Sequence, residues 1–243
     1  MRVAEAIGRA VAQLGGRDCF GLVGSGNFHL ANAMTASGMR FIAARHETGA
    51  VTMADAYARA SGRLGVCTVH QGPGLTNALT GLTEAAKSRT PLLLLAAEAT
   101  SALSNFFIDE SAVAQAAGAI HRRITSPGSA VAEIAAAAEI ACIERRTVLV
   151  SLPLEVQAAE CPPPTGLVPP SGPKPRAPNP TDVETLGGWL AAAERPLLLA
   201  GRGAVLSGAR IPGSRPGRAC SRSGAPSAAG SPPPMRIASR WWR

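Results

Sequence analysis

A chain of 243 residues, 46% hydrophobic and 16% charged, has room for one large domain or for one domain and part of a second. Its longest uninterrupted apolar run, residues 92–97, falls far short of the roughly 20 residues a spanning helix needs. Glu5 and Arg9 also interrupt the place where the apolar core of a secretory signal would sit, so the expected compartment is the cytoplasm, without membrane contact. The net charge of +8 suggests nucleic acid only until it is located: residues 1–205 hold 17 Lys+Arg against 16 Asp+Glu, while residues 206–243 carry seven arginines and no acid. Charge of that kind supports nonspecific phosphate contact at most, and a nucleic-acid partner is not expected.

Up to about residue 152, short apolar, β-prone runs alternate with longer amphipathic, Ala-rich segments, the signature of β-α units around a parallel sheet flanked by helices on both faces. In chain order the pattern predicts a helix over 3–14, a strand over 19–23, a helix over 28–37, a strand over 40–44, a helix over 47–61 and a strand over 65–70. A helix over 76–88, a strand over 92–97, helices over 110–117 and 130–145, and a strand over 147–152 follow. The composition then changes abruptly, with nine prolines among the 20 residues from Cys161 to Pro180, which predicts an extended connector. Beyond it a helix over 182–193 and a strand over 197–200, followed by Gly201-Arg202-Gly203, read as the opening of a second α/β domain that never develops.

The expected organisation is therefore a first domain over 1–160, a Pro-rich linker over 161–180, an incomplete second domain over 181–206 and a basic tail over 207–243. The tail is mostly Arg, Gly, Ser, Pro and Ala, buries too little apolar surface to offset its ordering entropy, and is expected to be disordered. It reads as a flexible extension, as a basic arm, or as out-of-frame translation after a lost reading frame. Five cysteines, Cys19, Cys67, Cys142, Cys161 and Cys220, are odd in number and form no C-x-x-C pair, so neither a disulfide framework nor a zinc site is expected.

Three loops sit where a predicted strand gives way to a helix, the position at which open α/β sheets bind ligands. The first, Gly21-Leu22-Val23-Gly24-Ser25-Gly26-Asn27, lets backbone approach a ligand closely, but it is not the G-x-G-x-x-G dinucleotide fingerprint and reads equally as a tight structural turn. The second, Arg45-His46-Glu47-Thr48-Gly49-Ala50, places a carboxylate in a first helical turn, where the helix dipole alone is reason enough for it. In the third, His70-Gln71-Gly72-Pro73-Gly74-Leu75-Thr76-Asn77, Pro73 between two glycines sets a sharp turn and aims the next helix's free amides at the crevice.

Taken together, R-H-E-T-G-A (45–50), M-A-D-A-Y-A-R-A-S-G (53–62) and G-P-G-L-T-N-A (72–78) resemble the N-terminal pyrimidine-binding domain of thiamine-diphosphate enzymes of the acetolactate synthase and 2-oxoacid decarboxylase type. The resemblance covers roughly residues 2–160 and reaches, through the connector, to about residue 205. It implies a thiamine-diphosphate-dependent lyase or carboligase acting on a 2-oxoacid. Glu47 occupies the position of the carboxyl group that hydrogen-bonds the cofactor's aminopyrimidine nitrogen and so activates it for ylid formation. Gly72, Pro73, Gly74 and Asn77 match the cofactor-side loop. His70 falls where benzoylformate decarboxylase-like members carry a proton-relay histidine, and Ser25 and Gln71 fall on the substrate side. Glu98 stands where acetolactate synthases carry Gln, which together with His70 points away from acetolactate formation itself.

The family holds magnesium and the diphosphate through a Gly-Asp-Gly motif on a further domain. The aspartates here, Asp18, Asp55, Asp109 and Asp182, follow Arg17, Ala54, Ile108 and Thr181, so no Gly-Asp step occurs and no metal ligand is assigned. The resemblance thus implies a chain inactive alone, binding thiamine diphosphate weakly, and completed in a homo- or hetero-oligomer by a diphosphate-binding chain. Two organisations fit: an α-type subunit with a separately encoded partner, or a noncatalytic truncated remnant.

Overall fold

Alternation along one strand builds the layers. In β4 (Leu92–Glu98), Leu93 and Leu95 belong to one buried apolar cluster, whereas Leu92, Leu94 and Ala96 belong to another, because successive side chains leave a strand on opposite faces. Six such strands make one sheet: β1 (Asp18–Gly21), β2 (Arg40–Ala43), β3 (Gly65–Val69), β4, β5 (Ile120–Arg123) and β6 (Thr147–Pro153). Every pairing is parallel and the order is β2-β1-β3-β4-β6-β5. One face is covered by α1 (Val3–Gln13), α2 (Phe28–Ala36) and α7 (Ala130–Ile143), and the other by α3 (Glu47–Ser61), α4 (Pro73–Asn77), α5 (Leu79–Lys87) and α6 (Glu110–Ala117). A short α8 (Leu154–Ala158) follows β6. The α/β class with helices on both faces is as expected.

The structure describes residues 1–172, 177–197 and 201–208. The chain divides into a unit over residues 1–172 and a second over residues 173–243. Small residues let the helix layers close: a Cβ on Gly8 of α1 would lie 2.6 Å from that of Ala33 in α2, and one on Gly81 of α5 would lie 2.9 Å from that of Val51 in α3.

Three features of the first unit differ from the sequence expectation. The sixth strand, β5, was not expected because Ile-His-Arg-Arg has no apolar run; it lies at the sheet edge, pairs only with β6, and so keeps polar side chains in water. The helix expected over 76–88 begins earlier, at Pro73, and is divided at Ala78 into α4 and α5. The helix expected to reach residue 145 ends at Ile143, and Arg145 takes a positive φ of 55°.

Residues 161–172 form neither helix nor strand, as their prolines require. The start of this stretch is clipped to the N-terminus: the Cys161 N–H donates to the Met1 carbonyl at 2.8 Å and the Val3 N–H to the Ala159 carbonyl at 2.9 Å. In the second unit, α9 (Pro180–Ala192) starts on an Asn179 cap that accepts from the Thr181 N–H at 3.0 Å, with proline at the first helical position. No residue of α9 is buried. Residues 202–206 form a short helix, α10 (Arg202–Leu206). Most of the strand expected over 197–200 and nearly all of the tail expected over 207–243 lie outside the described residues, as do residues 173–176 of the linker and Cys220. Among the described residues Cys19, Cys67, Cys142 and Cys161 are free thiols, and no helix is long and apolar enough to cross a membrane.

Candidate functional site

The strand order places a topological switch between β1 and β3: the chain leaves β1 for β2 on one side and returns to β3 on the other. Loops leaving two such neighbours diverge and open a crevice at the strand ends, the usual ligand position in this class of sheet. The loops in question are residues 22–27 after β1 and residues 70–72 after β3.

Asn27 staples the first loop down. Fully buried, it accepts from the Gly24 N–H at 2.8 Å and donates to the Leu22 carbonyl at 3.1 Å and to Thr68 Oγ1 at 3.2 Å. Thr68 in turn donates to the Leu95 carbonyl at 3.0 Å, so the loop is tied across β3 to β4. The loop's glycines are required by what lies against them. A Cβ on Gly24 would stand 2.7 Å from His70 Cγ, and one on Gly26 would stand 1.8 Å from Gln71 Oε1. The Gly-rich turn is therefore the surface on which His70 and Gln71 seat.

His70, at the end of β3, accepts a hydrogen bond at Nδ1 from the Gly26 N–H at 3.2 Å. Its ring meets the Phe106 ring edge-on, with centroids 5.2 Å apart. Burial lowers its pKa below the ordinary histidine value, while the nearby Glu47 charge acts the other way. Gly72 next to it has φ +59°, and a Cβ there would meet the Phe106 carbonyl at 2.7 Å, so both conformation and contact demand glycine. Gln71 is buried, and its Oε1 has no hydrogen-bond partner.

Glu47 opens α3 behind a His46 cap, whose Nδ1 accepts from the Thr48 N–H at 3.2 Å. Its side chain is buried, at 6% exposure. Asn77 Nδ2 donates to Glu47 Oε2 at 3.1 Å, and Thr48 Oγ1 donates to the Asn77 carbonyl, so the start of α3 and the end of α4 are cross-tied. A Cβ on Gly74 would lie 3.5 Å from Glu47 Oε1 and 3.0 Å from His70 Cβ. The missing side chain of Gly74 thus leaves space between the carboxylate and the imidazole.

The structure brings together Glu47, His70, Gly72, Pro73, Gly74 and Asn77, with Gln71 beneath. Ser25 does not join them: it is exposed and lines a separate cleft of about 110 Å³ with Arg2, His29 and Gln157. Asn27 and Phe106 were not singled out from sequence. The first could have been suspected as the polar end of a Gly-rich run, but nothing in residues 99–109 announces the second.

A second buried carboxylate lies farther along the same edge. Glu110, in the first turn of α6, accepts from Ser151 Oγ at 2.5 Å, and His121 Nε2 lies 2.9 Å from the same oxygen. Burial pushes the Glu110 carboxyl up to about 7, with the Ser151 hydrogen bond opposing. Beside it Arg123 pairs with Glu98 at 2.7 Å. Among the described residues no group of three or more His, Cys, Asp or Glu side chains could hold a metal ion.

Residues 1–116 match the family described as thiamine pyrophosphate enzyme, N-terminal TPP binding domain. The chain is 33% identical over 216 residues to a probable 2-ketoarginine decarboxylase of Pseudomonas aeruginosa, covering 86% of this chain and 39% of that protein. It is 33% identical over 219 residues to a probable acetolactate synthase large subunit of Methanocaldococcus jannaschii, covering 86% and 37%. A shorter match, 44% identical over 91 residues, covers 37% of this chain and 14% of human 2-hydroxyacyl-CoA lyase 2. The chain thus spans about two fifths of the length of the first two relatives. With the parallel sheet and the crevice at its switch point, these matches make residues 1–116 a member of the thiamine pyrophosphate enzyme N-terminal TPP-binding domain family.

Proposed function

We propose that the crevice between β1 and β3 is the pyrimidine-binding half of a thiamine-diphosphate site, with Glu47 as the acid that holds a proton at the pyrimidine ring nitrogen. The observation that carries this reading is the state of the Glu47 carboxylate. It is buried, one oxygen is occupied by Asn77, and the other faces the space left by Gly74. A carboxyl group with one oxygen not taken up by Asn77 is the chemistry that pairs with a basic ring nitrogen. When bound, the cofactor supplies an acidic carbon that adds to a carbonyl group and an electron sink for the bond broken next.

The chain's own residues orient and exclude water. Asn77 fixes the plane of the Glu47 carboxyl, Gly72 and Pro73 bring α4 against it, and Phe106 closes the side of His70. His70 stands on the substrate side, with Gln71 beneath it. The substrate class we infer is a 2-oxoacid, in keeping with relatives named as a decarboxylase of 2-ketoarginine and as acetolactate synthase. Magnesium and the diphosphate, which the resemblance puts on a further domain, are assigned on this reading to a diphosphate-binding segment or partner chain. On this reading the isolated chain binds the cofactor weakly and does not decarboxylate.

The test is an NMR titration of the full chain with millimolar thiamine diphosphate and magnesium, beside calorimetry. Shift changes centred on residues 47–50, 74 and 77, abolished in Glu47→Gln, with no tight calorimetric binding, are expected. An unperturbed Glu47 region, or the same response in Glu47→Gln, overturns the assignment.

A further inference from the structure

We infer that His70 stands in the crevice as a neutral imidazole protonated on Nε2, offering a hydrogen bond to a substrate oxygen instead of carrying a proton to and fro. The inference rests on the site proposed above for its substrate, but not for the state of the ring. A backbone N–H can only donate, so the bond from Gly26 at 3.2 Å requires a bare Nδ1. The neutral ring then keeps its one proton on Nε2, an atom with no hydrogen-bond partner among the described residues.

Gly26 is not free to yield. Asn27 holds the loop through three hydrogen bonds, Gly24 packs on His70 Cγ, and Gln71 fills the space at Gly26. An imidazolium would set its Nδ1–H against the Gly26 N–H, two donors face to face, and would forfeit that bond. Gly24, Gly26 and Phe106, which lie against the ring, are uncharged. Glu47 is the one titratable side chain whose charge bears on it, and it favours the cation; burial outweighs it. A neutral Nε2–H donor in a half-buried crevice is suited to stabilise negative charge growing on a carbonyl or carboxylate oxygen of the substrate, as fixed donors do in oxyanion sites.

Imidazole 15N NMR of the full chain, with the His70 signals identified by their loss in His70→Asn, tests this directly. A bare Nδ1 and protonated Nε2, held from alkaline pH through neutrality and titrating below the usual histidine value of about 6.5, are expected. In Phe106→Ala, water reaches the ring and its titration moves upward while the tautomer above it stays the same. An Nδ1–H tautomer, or an imidazolium at pH 7, overturns the inference. The cofactor titration reads Glu47 and this experiment reads His70, so the two proposals fail separately.

Discussion

The crevice at β1 and β3 and the cluster at β5 and β6 are built from the same parts and put them to different ends. Each has a buried carboxylate in the first turn of a helix and a histidine from in or just after a strand, and each carboxylate takes one side-chain hydrogen bond. At Glu110 the neighbouring space holds Ser151, whose hydroxyl donates to the acid and also lies in hydrogen-bond contact with His121. At Glu47 the corresponding space is left open by a glycine. A buried carboxylate whose neighbours all belong to the protein is an internal fastening. One that faces a gap is available to a ligand.

The sharpest way to break the crevice is at its turn. Gly72→Ala combines a left-handed backbone with a Cβ 2.7 Å from the Phe106 carbonyl, and is expected to destabilise the fold by about 3–4 kcal/mol in denaturant unfolding. The second cluster is expected to show itself through pH. The Glu110 carboxyl is raised from 4.5 to about 7 in the folded chain, so its contribution is fully present below about pH 4.5 and is lost as pH rises to about 7. Glu110→Gln abolishes that loss, and the variant gains on the wild type across this window by on the order of 3 kcal/mol at most, measured as the difference between their stability–pH curves.

Asn27→Ala leaves the Gly24 amide and the Leu22 carbonyl without their side-chain partner, at a cost of about 2 kcal/mol in the same unfolding measurement. It also loosens Gly26, and the His70 imidazole signals move while those of His121 do not. The smallest effect on stability is expected at Gly74→Ala, about 1 kcal/mol, because the new Cβ is tight only against the His70 Cβ at 3.0 Å, which a shift of a few tenths of an ångström relieves. Yet that methyl occupies the gap before Glu47, so the thiamine-diphosphate response in NMR disappears. A stable Gly74→Ala chain that still responds at Glu47 removes the distinction between the two carboxylates.

Much of this was legible beforehand. The helices over 47–61 and 110–117 begin and end as the pattern implies, because a cap or a first-turn acid at one end and a glycine at the other announce them. Locally, Glu47 and Pro73 read only as a first-turn acid and a sharp turn; their joint role was what the family resemblance implied. The cleft that Ser25 lines with Arg2, Gly26, His29 and Gln157 could not be read from its neighbourhood in the chain, because Arg2 and Gln157 come from distant segments. Phe106 and His121 lie in segments without a predicted element and Ser151 in a predicted strand that gave no sign of a polar role; the importance of all three comes from partners 30 or more residues away.

What the sequence by itself determined is the alternation of strands and helices, the acid at the head of one helix and the Gly-Pro-Gly turn before another, all of them consequences of local conformational preference and apolar period. Only the tertiary structure decided that two chain-distant loops meet at the β1–β3 switch, that a backbone amide settles which nitrogen of His70 is bare, and that one buried carboxylate faces a gap while its counterpart is enclosed. Those outcomes depend on which strands become neighbours, and strand order is set by the packing of both faces at once, not by any segment alone.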